Sequence, residues 1–239
     1  SIKQKKDKFF IKGNLKNKNN KINDDLIFLI FKKNFDNIDF SSTKFDSSSE
    51  FTFDLTKKLK IQNLKTDSKL YLDKFTLKYD FHKIKDYIKN YSSLINLKEN
   101  NFHIRYSEEK FLINGKSEFY IEKEFKNLLN FKIIKNKNKF NFETFFNLQN
   151  LELKFDDIDY SKTKKENATL LINGFENNKI ILFENVNYKN GNDEIEEKNL
   201  KISDSKILNL DKIRFNYLTK NGFKNKINLI KKNDNYELK

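Results

Sequence analysis

The segment KFLINGKSEFYIEKEF (Lys110–Phe125) alternates apolar and polar side chains with a period of two residues. Its odd positions include Phe111, Ile113, Phe119, Ile121 and Phe125. Successive side chains of a β-strand point to opposite faces of a sheet, so the pattern predicts a strand with one apolar and one polar face. Fifteen such residues span about 50 Å at ~3.3 Å per residue, whereas an ordinary strand has about 5–6 residues. This length favours a long sheet over a compact sandwich, unless a bend at Gly115 divides the segment into two strands.

The same alternation recurs along most of the chain. Further examples are FTFDL (Phe51–Leu55), LNFKII (Leu129–Ile134), ATLLING (Ala168–Gly174) and KIRFNYL (Lys212–Leu218). The apolar run LIFLIF (Leu26–Phe31) fits a buried strand. Short connectors rich in Asn, Asp, Ser and Gly separate these segments, which is typical of turns. The sequence therefore predicts a mainly β protein built as a meander of antiparallel strands.

One segment departs from the alternation. In HKIKDYIKNYSSLI (His82–Ile95), the residues Ile84, Ile88, Tyr91 and Ile95 recur at steps of three and four. That spacing predicts a short amphipathic helix near residues 83–96. Packing of this helix over a sheet edge is favoured over binding at a membrane surface.

A short unit ending in glycine is repeated. FLING (Phe111–Gly115) recurs as LLING (Leu170–Gly174), and FIKGN (Phe10–Asn14) is a looser version. Glycine inside a strand pattern indicates a bulge or a bend. We interpret residues 1–239 as a single repetitive β segment of a larger protein, because the chain also contains no Met.

The composition limits the possible functions less than the net charge alone would suggest. The net charge is +14, only two of the 48 basic residues are Arg, and Pro, Cys, Met and Trp are absent. Enrichment in Lys, Asn, Ile and Phe at the expense of residues with GC-rich codons is typical of an AT-rich genome. The lysines are spread over nearly every segment, so a solvated surface is favoured over a dedicated polyanion site. No apolar run approaches the ~20 residues of a membrane-spanning helix.

No set of residues that would carry catalysis can be assembled. The two histidines, His82 and His103, each lie beside Phe in an extended segment and are interpreted as strand-face residues. The acidic clusters Asp156–Asp159 and Asp193–Glu197 lack the spacing of a calcium-binding loop, so solvated turns are favoured over calcium sites. Glycine-rich phosphate loops are absent, and without Cys there is no thiol nucleophile. We therefore predict a protein that is not an enzyme and binds no cofactor, metal or nucleic acid.

The run of amphipathic strands, the Asn-Gly units and the tail NLKISDSKILNLDKIRFNYLTKNGFKNKINLIKKNDNYELK (Asn199–Lys239) resemble the AsmA-like proteins of Gram-negative bacteria. The YhdP branch is the most similar, and TamB is a more distant relative. The resemblance implies a long, curved antiparallel sheet whose apolar face forms an open hydrophobic groove. It also implies a periplasmic location, with anchoring to the inner membrane through a segment absent from this chain. The implied role is support of lipid transport between the inner and outer membranes, with phospholipid acyl chains as the bound partner.

Physical chemistry is compatible with that role. Burial of acyl chains contributes about 0.8 kcal/mol per CH₂, so a continuous apolar trough holds a lipid tail without a specific pocket. The residues expected to line the groove are Phe111, Ile113, Phe119, Ile121, Leu151, Leu153, Phe155, Ile180, Leu182, Ile213, Phe215 and Tyr217. Two alternatives stay open: a closed β-sandwich acting as a structural or adhesion module, and a polyanion binder using the lysines.

Overall fold

Most of the chain folds into one antiparallel sheet. The computed structural model describes residues 1–5, 7–22, 36–78, 85–89, 91–121, 125–204, 206–232 and 235–238. The predicted strand Leu26–Phe31 and His82 lie outside the described residues.

Eighteen strands and one 3₁₀-helix, η1, make up the described structure. The first nine strands are β1 (Ile2–Lys5), β2 (Lys8–Lys21), β3 (Ile38–Asp39), β4 (Lys44–Thr56), β5 (Ile61–Lys78), β6 (Leu94–Tyr106), β7 (Lys110–Tyr120), β8 (Asn127–Asn136) and β9 (Lys139–Asn147). The remaining elements are β10 (Leu153–Phe155), η1 (Asp156–Ile158), β11 (Tyr160–Lys162), β12 (Ala168–Asn177), β13 (Ile180–Asn190), β14 (Asp193–Ser203), β15 (Lys206–Asn209), β16 (Lys212–Leu218), β17 (Lys224–Lys232) and β18 (Asn235–Leu238).

The sheet is a meander, as the sequence predicts. Its order is β1-β2-β4-β5-β6-β7-β8-β9-β12-β13-β14-β16-β17-β18, with β15 beside β14 and β3 beside β5. Every described pairing is antiparallel, and the sheet is not closed into a barrel. The second sheet contains only β10 and β11, so the described strands do not form two large sheets packed face to face. The chain exposes 16376 Å², against roughly 11300 Å² for a compact protein of this mass.

Strand β7 corrects the prediction made from its alternation. The strand runs without a break through Gly115 and ends at Tyr120, so it has 11 residues rather than the full length of the alternating segment. Ile121 lies in a bend and is buried in the core, so the alternation outlasts the strand. The period of two residues therefore identified the residues of β7 that lie on the apolar face, but it overestimated the length of the strand.

The described part of the predicted amphipathic helix, residues 85–89 and 91–96, contains no helix, and Ile84 lies outside the described residues. Residues 85–89 form a turn with an isolated bridge between Ile88 and Leu153, and β6 already begins at Leu94. Ile88 is buried in the core, and Tyr91 and Ile95 pack against it. A turn followed by a strand thus brings these apolar residues to the core, as a helix would. In the part of the chain that the structure describes, no helix is long and apolar enough to cross a membrane.

The sheet has one apolar face and one mixed face. Cross-strand partners on the apolar face include Ile113 with Ile133 and Ile133 with Phe142. The opposite face carries charged neighbours such as Lys132 and Glu143. Because cross-strand partners share a face, the strand register turns the alternation of each strand into rows that cross the whole sheet.

A second layer, here called the cover (residues 85–89 and 148–165), packs on part of the apolar face. At one end, the Lys154 amide donates to the carbonyl of Tyr87 at 2.9 Å, and the rings of Tyr87 and Phe155 stack at 5.0 Å. At the other end, the Lys220 amide donates to the carbonyl of Asp159 at 2.9 Å. The first pair of contacts joins the two segments of the cover to each other, and the second attaches the cover to the loop between β16 and β17.

Candidate functional site

The cover creates the main hydrophobic core of the described chain. Beneath it lies a cross-strand row, here called the inner row, on β7, β8, β9, β12, β13, β14 and β16: Ser117, Leu129, Phe146, Leu170, Tyr188, Ile195 and Phe215. Tyr160 of the cover is 1% exposed. Its ring packs edge-on against the rings of Tyr188 and Tyr217, with distances between ring centroids of 6.2 Å and 5.6 Å. Of the twelve buried apolar residues described, eleven belong to this single cluster.

Three polar side chains under the cover form a hydrogen-bonded network, whereas the buried Ser117 hydroxyl of the inner row has no hydrogen-bond partner among the described residues. The Tyr160 and Tyr188 hydroxyls lie 3.1 Å apart, and the Asn190 amide donates to Tyr160 at 3.1 Å and to Glu166 at 2.7 Å. Burial raises the pKa of both tyrosines above the ordinary value, so both remain neutral. This network holds the cover on the sheet.

Lys162 fixes the path of the cover from within. Its ammonium group donates to the carbonyls of Gln149 at 3.1 Å, Leu151 at 2.7 Å and Thr163 at 2.8 Å. The side chain is fully buried, and burial lowers its pKa. Three carbonyl acceptors are what a buried ammonium needs to offset the loss of water. We interpret Lys162 as a structural residue.

Two further rows on the apolar face stay half-buried. We call them the apolar band: Phe102, Gly115, Phe131, Thr144, Ile172, Val186, Glu197 and Ile213 in one row, and Ile104, Ile113, Ile133, Phe142, Gly174, Phe183 and Leu200 in the next. Apart from the two buried glycines, all are of intermediate exposure. None of them belongs to the core cluster or packs against it. The band therefore presents apolar area to solvent next to a covered core.

Gly115 allows a continuous aromatic surface within the band. It lies between Phe102 on β6 and Phe131 on β8, whose rings approach each other to 6.0 Å above it. A Cβ at Gly115 would overlap the Phe131 ring. Gly13 is covered in the same way by its partner Phe51, so two of the three repeated glycines accommodate a ring from the next strand.

Gly174 has a different role, because it marks a β-bulge. The register between β12 and β13 shifts between Asn173 and Gly174. After the shift, the ring of Phe183 packs against the ring of Phe142, with 5.8 Å between the ring centroids. This contact places Phe183 on the apolar face. Ile181 then lines a shallow depression of about 520 Å³ with Ile133, Phe140 and Phe142.

The bulge separates residues that the sequence placed together. Ile180 and Leu182 alternate with Ile181 and Phe183, so they lie on the mixed face, where Leu182 pairs with Phe175. The Phe175 ring is covered by the ammonium group of Lys139 at 3.7 Å. The sequence gives no direct signal for this inversion except the glycine in LLING.

The other predicted lining residues fall into three groups. Phe111, Ile113 and Ile213 are half-buried on the apolar face. Phe119, Ile121, Phe215 and Tyr217 belong to or pack against the covered core. Leu151, Leu153 and Phe155 belong to the cover itself. Sequence reasoning missed Phe102, Phe131, Phe142 and Phe183, because only the register shows that they share a face.

Adjacent glutamates on β14 meet opposite environments. Glu196 on the mixed face accepts from Lys212 at 2.9 Å and lies 3.2 Å from Lys198, and these contacts, the Lys212 hydrogen bond first, lower its pKa. Glu197 lies on the apolar face between its partners Val186 and Ile213. Burial raises the pKa of Glu197. Glu197 is the one charged side chain in the apolar band.

Several other charged side chains pair locally. His103 lies on strand β6 and contacts Asp67 at 2.7 Å, and Asp67 also accepts from Arg105 at 3.0 Å. In the acidic cluster of η1, Asp156 lies 2.7 Å from both Lys154 and Lys220. No group of three or more metal-ligating side chains occurs among the residues described above.

Comparison with protein-family models, with curated proteins and with solved structures yields no match to this chain.

Proposed function

We propose that the apolar band binds the hydrocarbon chains of lipids, as the floor of an open groove. The observation that carries the proposal is a row of apolar side chains that crosses the sheet and stays half-exposed beside a covered core. From β6 to β14 the row crosses seven strands, which corresponds to about 29 Å at ~4.8 Å per strand spacing. Each CH₂ buried there contributes about 0.8 kcal/mol.

The rim of the band supports the same proposal. Lys135, one row further out, lies over the Phe140 ring at 5.0 Å, and Lys179 borders the depression that Phe140 and Ile181 line. A lipid tail on the band would bring its headgroup towards these ammonium groups, which favour anionic phosphate. The depression that Ile133 and Phe142 line is shallow and open, so the band fits sliding hydrocarbon better than one fixed ligand.

The wider proposal follows the resemblance to AsmA-like proteins. In it, the chain is one segment of a longer periplasmic groove that supports phospholipid transport between the inner and outer membranes. The single open sheet favours this role over a closed sandwich serving adhesion, because a sandwich buries both apolar faces. Lipid cross-linking within the parent protein in cells tests it: tails should be captured by the band in this segment and in the segments beside it.

Photocrosslinking of the isolated chain tests lipid binding directly. A benzophenone side chain replacing Phe142 should capture radiolabelled phospholipid from vesicles. The matched control is Phe145, three residues along the same strand, which alternates onto the mixed face. Equal capture at both positions, or none at either, would contradict the proposal.

Charge insertion separates the band from the covered core. Phe142→Asp should abolish uptake of a fluorescent phospholipid while the β-sheet circular dichroism is retained, because the site is half-exposed. Phe119→Asp should unfold the sheet locally, because Phe119 is 6% exposed within the core. Retained uptake in a folded Phe142→Asp variant would show that the band is not the binding surface.

A further inference from the structure

Glu197 interrupts an otherwise uncharged row. From Leu70 on β5 to Leu238 on β18, the row that includes Phe102, Phe131, Ile172 and Ile213 contains no other charged side chain. Its neighbours across the strands are Val186 and Ile213, and Ile195 precedes it on the same face. A carboxylate at such a position loses water contacts without gaining apolar stabilisation.

The carboxylate of Glu197 has no partner within the described ranges. No hydrogen bond or ion pair reaches it, and burial is the one cause of its raised pKa. The basic side chains nearest in sequence and register, Lys198 and Lys212, are engaged by Glu196 on the other face. Asp211 is held by Asn199 at 2.8 Å and Asn209 at 2.7 Å. A cation that approaches over the apolar band would therefore meet an unneutralised carboxylate.

We propose that Glu197 is a specificity-determining residue that binds the protonated amine of an amphiphile whose hydrocarbon chain lies on the apolar band. This inference rests on the proposed function. A ligand without a positive charge covers the carboxylate and leaves it unpaired, whereas an ammonium group forms a charge-assisted hydrogen bond with it in a low-dielectric setting. The net charge of +14 disfavours cations in general, so a preference for amines would have to come from this local contact.

Three probes of equal chain length test the inference: dodecylamine, dodecanol and dodecanoate. Binding to the full chain is measured at pH 7 by displacement of a fluorescent lipid, below the concentration at which the probes form micelles. The amine is fully protonated there, since alkylamines resemble lysine with a pKa near ~10.4. We expect dodecylamine to bind about tenfold more tightly than dodecanol, and Glu197→Gln to reduce that preference to less than about twofold. Dodecanol binding should be unchanged or stronger in the variant.

Glu143→Gln is the matched control, because it removes the same charge from an exposed position on the mixed face. It should leave the preference for the amine intact. Equal binding of dodecylamine and dodecanol to the unmodified chain, or a preference that survives Glu197→Gln, would overturn the inference. The heat of dodecanol binding, measured in several buffers, shows whether a proton is taken up on binding. Proton uptake without any preference for the amine would also overturn the inference. Failure of all three probes to bind would instead remove the proposed function.

Discussion

The inner row and the apolar band lie two residues apart on the same strands and the same face, yet only one of them belongs to a core. On β8, Leu129 packs against the buried cluster, whereas Phe131 contributes to the half-exposed band. Both positions are apolar, and both face the same way. The difference is the cover, whose Tyr160 and Leu151 are almost completely buried over the inner row. The apolar pattern of a sheet thus marks a face, while the second layer decides whether that face becomes a core.

The most severe test of this comparison truncates one aromatic residue in each region. Tyr160→Ala should lower the free energy of unfolding by about 4 kcal/mol, because it removes a buried ring and leaves a cavity under the cover. Phe131→Ala should cost only about 1 kcal/mol, because its ring is half-exposed and no cavity forms. Urea denaturation followed by circular dichroism measures both. Similar losses would mean that the band is packed as tightly as the core.

Adding one methyl group to each repeated glycine sharpens the comparison. Gly174→Ala should cost about 2 kcal/mol, because the new Cβ would overlap the backbone carbonyl of Leu182 in the bulge. Gly115→Ala should cost less than about 1 kcal/mol, because the group in its way is the Phe131 ring, which can rotate towards solvent. Thermal unfolding of the two variants gives the order. If Gly115→Ala is as costly as Gly174→Ala, the Phe131 ring is confined from above.

The smallest effects compare the two adjacent glutamates. At pH 7, Glu196→Gln should destabilise the fold by under about 1 kcal/mol, since it loses contacts with Lys212 and Lys198. Glu197→Gln should stabilise it by a similar, small amount, on the order of 1 kcal/mol at most, since it removes an unpaired carboxylate from an apolar face.

Acid should remove both effects, in opposite senses. The lowered pKa of Glu196 stabilises the fold above the ordinary glutamate pKa near ~4.3, and this contribution is lost as the pH falls through the lowered value. The raised pKa of Glu197 destabilises the fold above that value, and the penalty vanishes once the carboxyl is protonated in both states. Denaturation of each variant between pH 3 and pH 7 measures the trend, and effects of the same sign would contradict the face assignment.

Strand positions were largely predictable from the sequence because alternation is a local property. The segments around Phe51, Ile133, Leu170 and Phe215 all form strands as expected. The meander follows from short connectors between them. Strand ends were less predictable: Ile121 keeps the alternation going after β7 has ended, since a core residue in a bend has the same polarity as one in a strand.

The candidate site was less predictable, because it depends on pairing between strands. Ile180 and Leu182 appear in step with Val186 and Tyr188, but the bulge opposite Gly174 moves them to the other face. Leu151 and Leu153 alternate like a sheet strand, yet they belong to the cover, which is fixed by long-range bonds such as that from Lys162. No single-sequence pattern indicates which apolar segment will lie over another.

The meander topology has a mechanical consequence. In the main sheet, nearly every strand is hydrogen-bonded only to the strands that come before and after it in the sheet order. The contacts that stabilise each strand are therefore made with its immediate neighbours. Such arrays gain stability from nearest-neighbour terms, as stacked repeats do. Duplicating one hairpin would lengthen the molecule without redesign of the rest, and amide exchange should be fastest at β1 and β18 and slowest beneath Tyr160. The edge strands would therefore unfold locally before the strands that lie beneath the cover.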